Sequence, residues 1–134
     1  MGSIFTKIVK GEIPAYVIAE DAENLAFLDA MPLVEGHTLV IPKEETDFIF
    51  DLESEAYKNL WAFAQNVAKK LEVAYPAKRI AVAVVGLEVP HAHIHLIPIS
   101  KMEDMNFKNS RLKFSELEYR KIQERIINSE APHF

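Results

Sequence analysis

The sequence predicts an α+β fold, with a five-stranded, mainly antiparallel sheet, one long helix and a C-terminal helix. Three observations predict it. Short apolar stretches bounded by Gly, Pro and acidic turns recur five times, and one long segment repeats apolar residues at intervals of three and four. Strands also follow one another before the long helix, an order that favours antiparallel pairing.

Residues 3–10 read as a short helical turn, ended by Gly11 and by Ile13 before Pro14, which both disfavour continuation. Residues 16–19 and 25–29 read as strands flanking the polar turn 20–24, and residues 37–42 have the β-branched content of a buried strand. Between residues 52 and 75, Leu52, Ala56, Leu60, Phe63, Ala64, Val67, Leu71 and Ala74 share a helix face. Asp51 or Ser54 is the expected cap and Pro76 the stop. Residues 79–85 form a nearly continuous apolar strand, and residues 91–98 an alternating one. Residues 100–113, with Lys101, Lys108, Arg111 and Lys113, read as a loop. Ser115 and Glu118 then make a capping box ahead of a helix with the stripe Tyr119, Ile122, Ile126.

With 134 residues, 49% hydrophobic and 26% charged, residues 1–134 are expected to form one domain. The absence of cysteine excludes disulfides, thiolate metal sites and thiol catalysis, and fits a cytoplasmic protein. No apolar stretch approaches the roughly 20 residues that span a bilayer. A net charge of -5 argues against nucleic-acid binding and leaves room for a small anionic ligand in its own pocket.

Four of the five histidines are His37, His91, His93 and His95, the last three alternating with Ala92, Ile94 and Leu96. In a strand, alternate residues point to one face about 6.6 Å apart, so three imidazoles would line up. Burying them unpaired would cost about 1–3 kcal/mol each. Three uses fit the row. It could be a solvated strand face, or a metal site, although a flat row reaches one ion awkwardly and only Glu88 is near as a further ligand. It could also serve covalent catalysis at phosphorus. Closely spaced imidazoles resist simultaneous protonation, so one stays neutral and nucleophilic while another carries charge and holds phosphate oxygens.

The run His91-Ala92-His93-Ile94-His95-Leu96-Ile97 resembles the His-x-His-x-His signature of the histidine triad family, in its small nucleotide-binding branch. Residues 3–14 are similar to that family's opening and residues 36–43 to its central strand, giving a motif-bearing core of about 3–98, followed by a C-terminal loop and helix over 99–134. The resemblance implies a sheet continued across a homodimer and a purine nucleotide, AMP or GMP, bound beside the histidines. It implies His93 as the nucleophile, with His91 and His95 contacting phosphate or holding its ring, and His37 completing the hydrogen-bonded set. Phe5, Ile8 and Phe27 correspond to residues that sandwich the base, although by themselves they read equally well as core. Asp29 corresponds to the residue that accepts bonds from the ribose. The implied reaction is hydrolysis or transfer of a nucleoside phosphoramidate or related nucleotidyl ester through a nucleotidyl-histidine, with no metal or cofactor. The alternatives are a non-catalytic nucleotide-sensing module of the same fold and a histidine-rich metal-binding protein.

The chain departs from the family before the triad. Where a polar loop ending in Gly-Gln-Ser or Gly-Gln-Thr is usual, it has Gly86-Leu87-Glu88-Val89-Pro90, and Lys43-Glu44-Glu45 lacks a histidine often found there. A carboxylate about 5 Å from a phosphate repels it by roughly 3 kcal/mol at an effective dielectric of 20, about a hundredfold in affinity. Glu88 is therefore expected either to pair with a histidine or to turn away ordinary nucleotides.

Overall fold

The structure, a computed structural model, describes residues 2–130. Its elements run α1 (Ile4–Val9), β1 (Val17–Glu20), β2 (Asn24–Leu28), β3 (Thr38–Pro42), α2 (Ser54–Ala74), β4 (Arg79–Ala83), β5 (Ile94–Ile99) and α3 (Glu116–Ile127). The five strands form one antiparallel sheet in the order β1-β2-β3-β5-β4, the α+β architecture that the sequence predicts.

Register assigns each side chain to a face. Val40 pairs with Ala26 and Ile94, and Thr38 with Leu28 and Leu96, so these residues share one side. There Ala26, Leu28, Val40, Ile94 and Leu96 pack with Leu60, Phe63, Ala64, Val67 and Leu71 of α2 and with Tyr119, Ile122 and Ile126 of α3. Each large side chain fully buried in this layer contributes about 1.5–3 kcal/mol. Leu39 pairs with Phe27 and His95, and Leu25 with Ile41, which assigns them to the opposite side. Here α1 covers Leu25, Phe27, Leu39 and Ile41 with Phe5, Ile8 and Val9. Covered on both faces, β2 and β3 are buried throughout, and alternation is lost from their sequences.

Several boundaries depart from expectation for local reasons. The cap of α2 is neither Asp51 nor Ser54. Asp51 ends a 3-10 turn and Ser54 is already helical, while Glu53, whose backbone is extended, accepts through its carboxylate from the Glu55 and Ala56 amides at 3.1 and 3.2 Å. β4 stops at Ala83 and is an edge strand, so its apolar content marks no buried strand and Val82 is exposed. β5 begins at Ile94, not His91. Its ladder to β3 starts at the Val40–Ile94 pair, and before that the Ala92 amide donates to the Thr46 carbonyl at 2.7 Å, drawing the chain off the sheet.

The capping box of α3 forms as predicted, and Arg125 fastens this helix to the end of α2, its guanidinium 4.2 Å from the Tyr75 ring centroid and its Nε donating to the Ala74 carbonyl. Residues 100–113 are stitched down. The Leu112 amide donates to the Pro32 carbonyl and Arg111 to the Met31 carbonyl, both at 2.8 Å. No helix among the described residues is long and apolar enough to cross a membrane.

Candidate active site

Because β5 starts late, the three triad imidazoles do not stand in one row. His95 projects from the sheet opposite Leu39, and His93 lies just before the strand with its ring 5.0 Å from that of His95. The His91 ring is fully buried elsewhere, with Nδ1 2.9 Å from the Ser3 hydroxyl at the start of α1 and Nε2 2.7 Å from the Pro42 carbonyl. The first histidine therefore reaches the others through its backbone, as its carbonyl lies 2.8 Å from His93 Nδ1.

His37 joins the pair from the turn before β3. Gly36 has φ +91°, which favours glycine, and a Cβ there would meet Tyr75 Cε2 at 2.8 Å. Beyond the Leu28–Thr38 pair, the Asp29 amide donates to the His37 carbonyl at 3.0 Å, extending the contact of β2 with β3 by one residue. Asp29 Oδ2 consequently lies 3.4 Å from His37 Nε2, and that nitrogen lies 3.0 Å from His95 Nδ1.

These contacts assign a proton to each ring. The Leu33 amide donates to His37 Nδ1 at 3.0 Å, so neutral His37 carries its proton on Nε2 and donates it to His95 Nδ1. His95 then has its own proton on Nε2. A carbonyl only accepts, so His93 Nδ1 is protonated toward the His91 oxygen, and in neutral His93 the lone pair is on Nε2. By the same reasoning His91 donates from Nε2 to Pro42 and accepts at Nδ1. Neither Nε2 of His93 nor Nε2 of His95 has a protein hydrogen-bond partner among the described residues.

Burial keeps the surrounding rings neutral. It lowers His37 from 6.5 to about 4, with Arg111 adding to the shift, and lowers His95 to about 3, with His37 and His93 contributing. Burial also lowers His91, against the opposing influence of its bond to Pro42 and of the Glu45 charge. The expectation of a cationic imidazole beside a neutral one is thus corrected for these three rings. Near neutral pH they offer N–H dipoles without net charge.

The apolar residues form a wall next to this group. Phe5 meets Phe27 edge-on at 5.4 Å and His93 at 5.1 Å, and Ile8 packs against the same cluster. A cavity of about 280 Å³ has His93 on its wall together with Phe48, Phe50, Trp61, Val84 and Val85. Asp29, His37 and His95 bring three ligand-type atoms within 4.8 Å, the arrangement nearest to a cation site among the described residues. Their hydrogen bonding suits a relay better, because His37 Nε2 must hold the proton that Leu33 excludes from Nδ1, and a protonated nitrogen cannot ligate.

The sequence pattern of the HIT domain matches residues 10–102. The chain belongs to the HIT family. It is 40% identical over 103 residues to the adenosine 5'-monophosphoramidase of Schizosaccharomyces pombe, covering 73% of this chain and 74% of that protein. An HIT-like protein of Borreliella burgdorferi is 34% identical over 122 residues, covering 86% and 88%. Among solved structures, a Hit-like protein from Bartonella henselae superposes with a TM-score of 0.83 at 28% identity over 96% of each chain.

Within this HIT site, Glu88 stands apart. It is exposed on the loop before the triad, and no hydrogen bond or ion pair joins it to a histidine among the described residues, so of the two alternatives for Glu88 the pairing with a histidine does not form. Two contributors were not legible as site residues. Phe107 sets its ring edge-on to His95 at 5.0 Å, and Arg111, 5.6 Å from the Phe107 ring, brings positive charge to bear on His37 and His95. Their signal was hidden in a segment whose basic composition reads as an ordinary loop.

Proposed function

We propose that this HIT protein hydrolyses purine nucleoside phosphoramidates, or transfers the nucleotidyl group, through a covalent intermediate on His93. The observation carrying this reading is a pair of ring nitrogens without a protein partner among the described residues, a lone pair on His93 Nε2 and an N–H on His95 Nε2, with ring centroids 5.0 Å apart. One suits attack on phosphorus, and the other suits donation to a phosphoryl oxygen. The phosphoramidase relative at 40% identity supports the same reaction class.

In the first step His93 Nε2 bonds to the α-phosphorus and the P–N bond breaks, its electron pair leaving with the amine. The His93 ring becomes cationic, and its Nδ1–H bond to the His91 carbonyl strengthens as charge develops. In the second step the P–Nε2 bond breaks and returns its pair to the ring. The amine takes up a proton from solvent as it leaves in the first step, and in the second a water oxygen bonds to phosphorus and a proton returns to solvent, so that one water is consumed overall. Phe5, Ile8 and Phe27 would hold the base, and Asp29 the ribose hydroxyls. The cavity walled by Phe48, Phe50 and Trp61 would give space to the departing group. A homodimer formed through the free edge of β4, where Val82 is exposed, is part of the same proposal, and sedimentation of the purified protein tests it.

Purified protein incubated with adenosine 5'-phosphoramidate should release AMP and ammonia, and His93→Ala should not. AMP binding without turnover would favour a sensing module instead.

A further inference from the structure

A second network, outside the pocket, ends on the nucleophile. Three residues beyond β3, exposed Glu45 turns its carboxylate to α1, where Oε1 accepts from the Thr6 hydroxyl at 2.6 Å and from the Ser3 backbone amide. The bonds from Ser3 and Thr6 hold this carboxyl below the usual carboxylate range. We propose that Glu45 is a positioning residue for His93, acting through α1 and the buried ring of His91; the proposal rests on the reading of His93 as nucleophile.

Thr6 has one hydroxyl proton, and with it committed to Glu45 it has none for His91 Nδ1 at 3.3 Å. The Ser3 oxygen accepts the Thr6 amide at 3.0 Å as the helix cap, and its proton has a nearer acceptor in His91 Nδ1 at 2.9 Å than in the Thr6 hydroxyl oxygen at 3.4 Å. One carboxylate oxygen thereby decides which hydroxyl serves the ring, and the other ring nitrogen must donate to the Pro42 carbonyl. The opposite tautomer would set a lone pair against that carbonyl at 2.7 Å, which is repulsive. His91 is gripped from α1 and from β3, and its own carbonyl fixes the His93 ring at 2.8 Å.

The same tether steers Phe5. This residue lies between Ser3 and Thr6 on α1, and its ring contacts His91 at 5.9 Å and His93 at 5.1 Å. A helix of six residues has little stability of its own, so its seating depends on such tethers. Release of Glu45 would free the Thr6 proton to compete for His91, unseat the start of α1 and loosen the ring that must be aligned with phosphorus. Small misalignment of a reacting group costs rate more than affinity.

The test compares the parent with Glu45→Ala and Glu45→Gln, measuring turnover of adenosine 5'-phosphoramidate and the His91 ring-nitrogen signals by long-range proton–nitrogen NMR. Glu45→Ala should lower kcat about tenfold while KM changes less than about twofold. Glu45→Gln should recover most of that loss, because an amide oxygen can accept the same two bonds. His91 should keep the Nε2–H form that the Pro42 carbonyl imposes in both proteins, while its Nδ1 signal should move in Glu45→Ala as the Thr6 hydroxyl competes with Ser3 for that nitrogen. Unchanged kcat in Glu45→Ala, a Gln variant as impaired as the Ala variant, or an unaltered His91 signal would each overturn the proposal. If the parent does not turn over the phosphoramidate, the hydrolase reading falls and the His91 Nδ1 signal alone decides the role of Glu45.

Discussion

Beneath α2 and α3, Val40, Ile94 and Leu96 meet Leu60, Val67 and Leu71, and what matters there is volume and apolar area. On the other face of the same strands, Leu39 lies beside His37 and His95, and what matters is which nitrogen holds which proton. A contact on the first face can be weakened by degrees. On the second, losing one donor changes the role of the next ring, since the Leu33 amide sets His37 and His37 sets His95. A single sheet therefore has one side tolerant of imperfect packing and one side intolerant of a misplaced proton.

The sharpest way to separate the faces is to remove the nucleophile. His93→Ala should lower kcat for adenosine 5'-phosphoramidate by about 10⁴-fold or more, with a much smaller change in the urea midpoint. His95→Leu removes a donor to phosphoryl oxygen together with the acceptor of the His37 proton, and should lower kcat about 10²–10³-fold in the same steady-state assay. On the opposite face Leu60→Ala should cost about 2–5 kcal/mol in urea unfolding, while kcat/KM per folded molecule stays within about twofold of the parent. A comparable loss of kcat/KM in Leu60→Ala would show that the faces are not separable.

Acid should act on the histidine face first. His37 and His95 titrate at about 4 and 3 when folded against an ordinary 6.5, so between these values the unfolded chain holds more protons. Stability should accordingly be intact above about pH 6.5 and fall as pH drops through this window, with a slope approaching about 1.4 kcal/mol per pH unit for each such histidine. Urea unfolding between pH 7.5 and 5 measures it, and His37→Gln should flatten the slope. The smallest effect belongs to Glu88. Exposed and screened, its replacement in Glu88→Ser should tighten AMP binding by less than about threefold, measured by calorimetry. A gain near a hundredfold would mean that its charge reaches the phosphate.

Legibility in the sequence follows the same division. The apolar stripes of α2 and α3 and the Ser115–Glu118 box depend on neighbours within a few residues, and periodicity reveals them. The start of β5 was hidden because it is set by the Ala92–Thr46 bond, a contact that no local pattern encodes. The histidine spacing pointed to the site yet misdirected the geometry, since alternation presumes a strand and His91 and His93 precede it. Ser3 meets His91 across 88 residues, so neither Ser3, Thr6 nor Glu45 carried a local signal of belonging to the site.

His93 Nε2 is the atom expected to bond to phosphorus. Rapid quenching of a His95→Gln variant during turnover of adenosine 5'-phosphoramidate, followed by peptide mass spectrometry, tests this directly. One adenylyl unit should be found on His93 and none on His91. Substrate consumed with no label on His93, or with the label on another residue, would contradict the account.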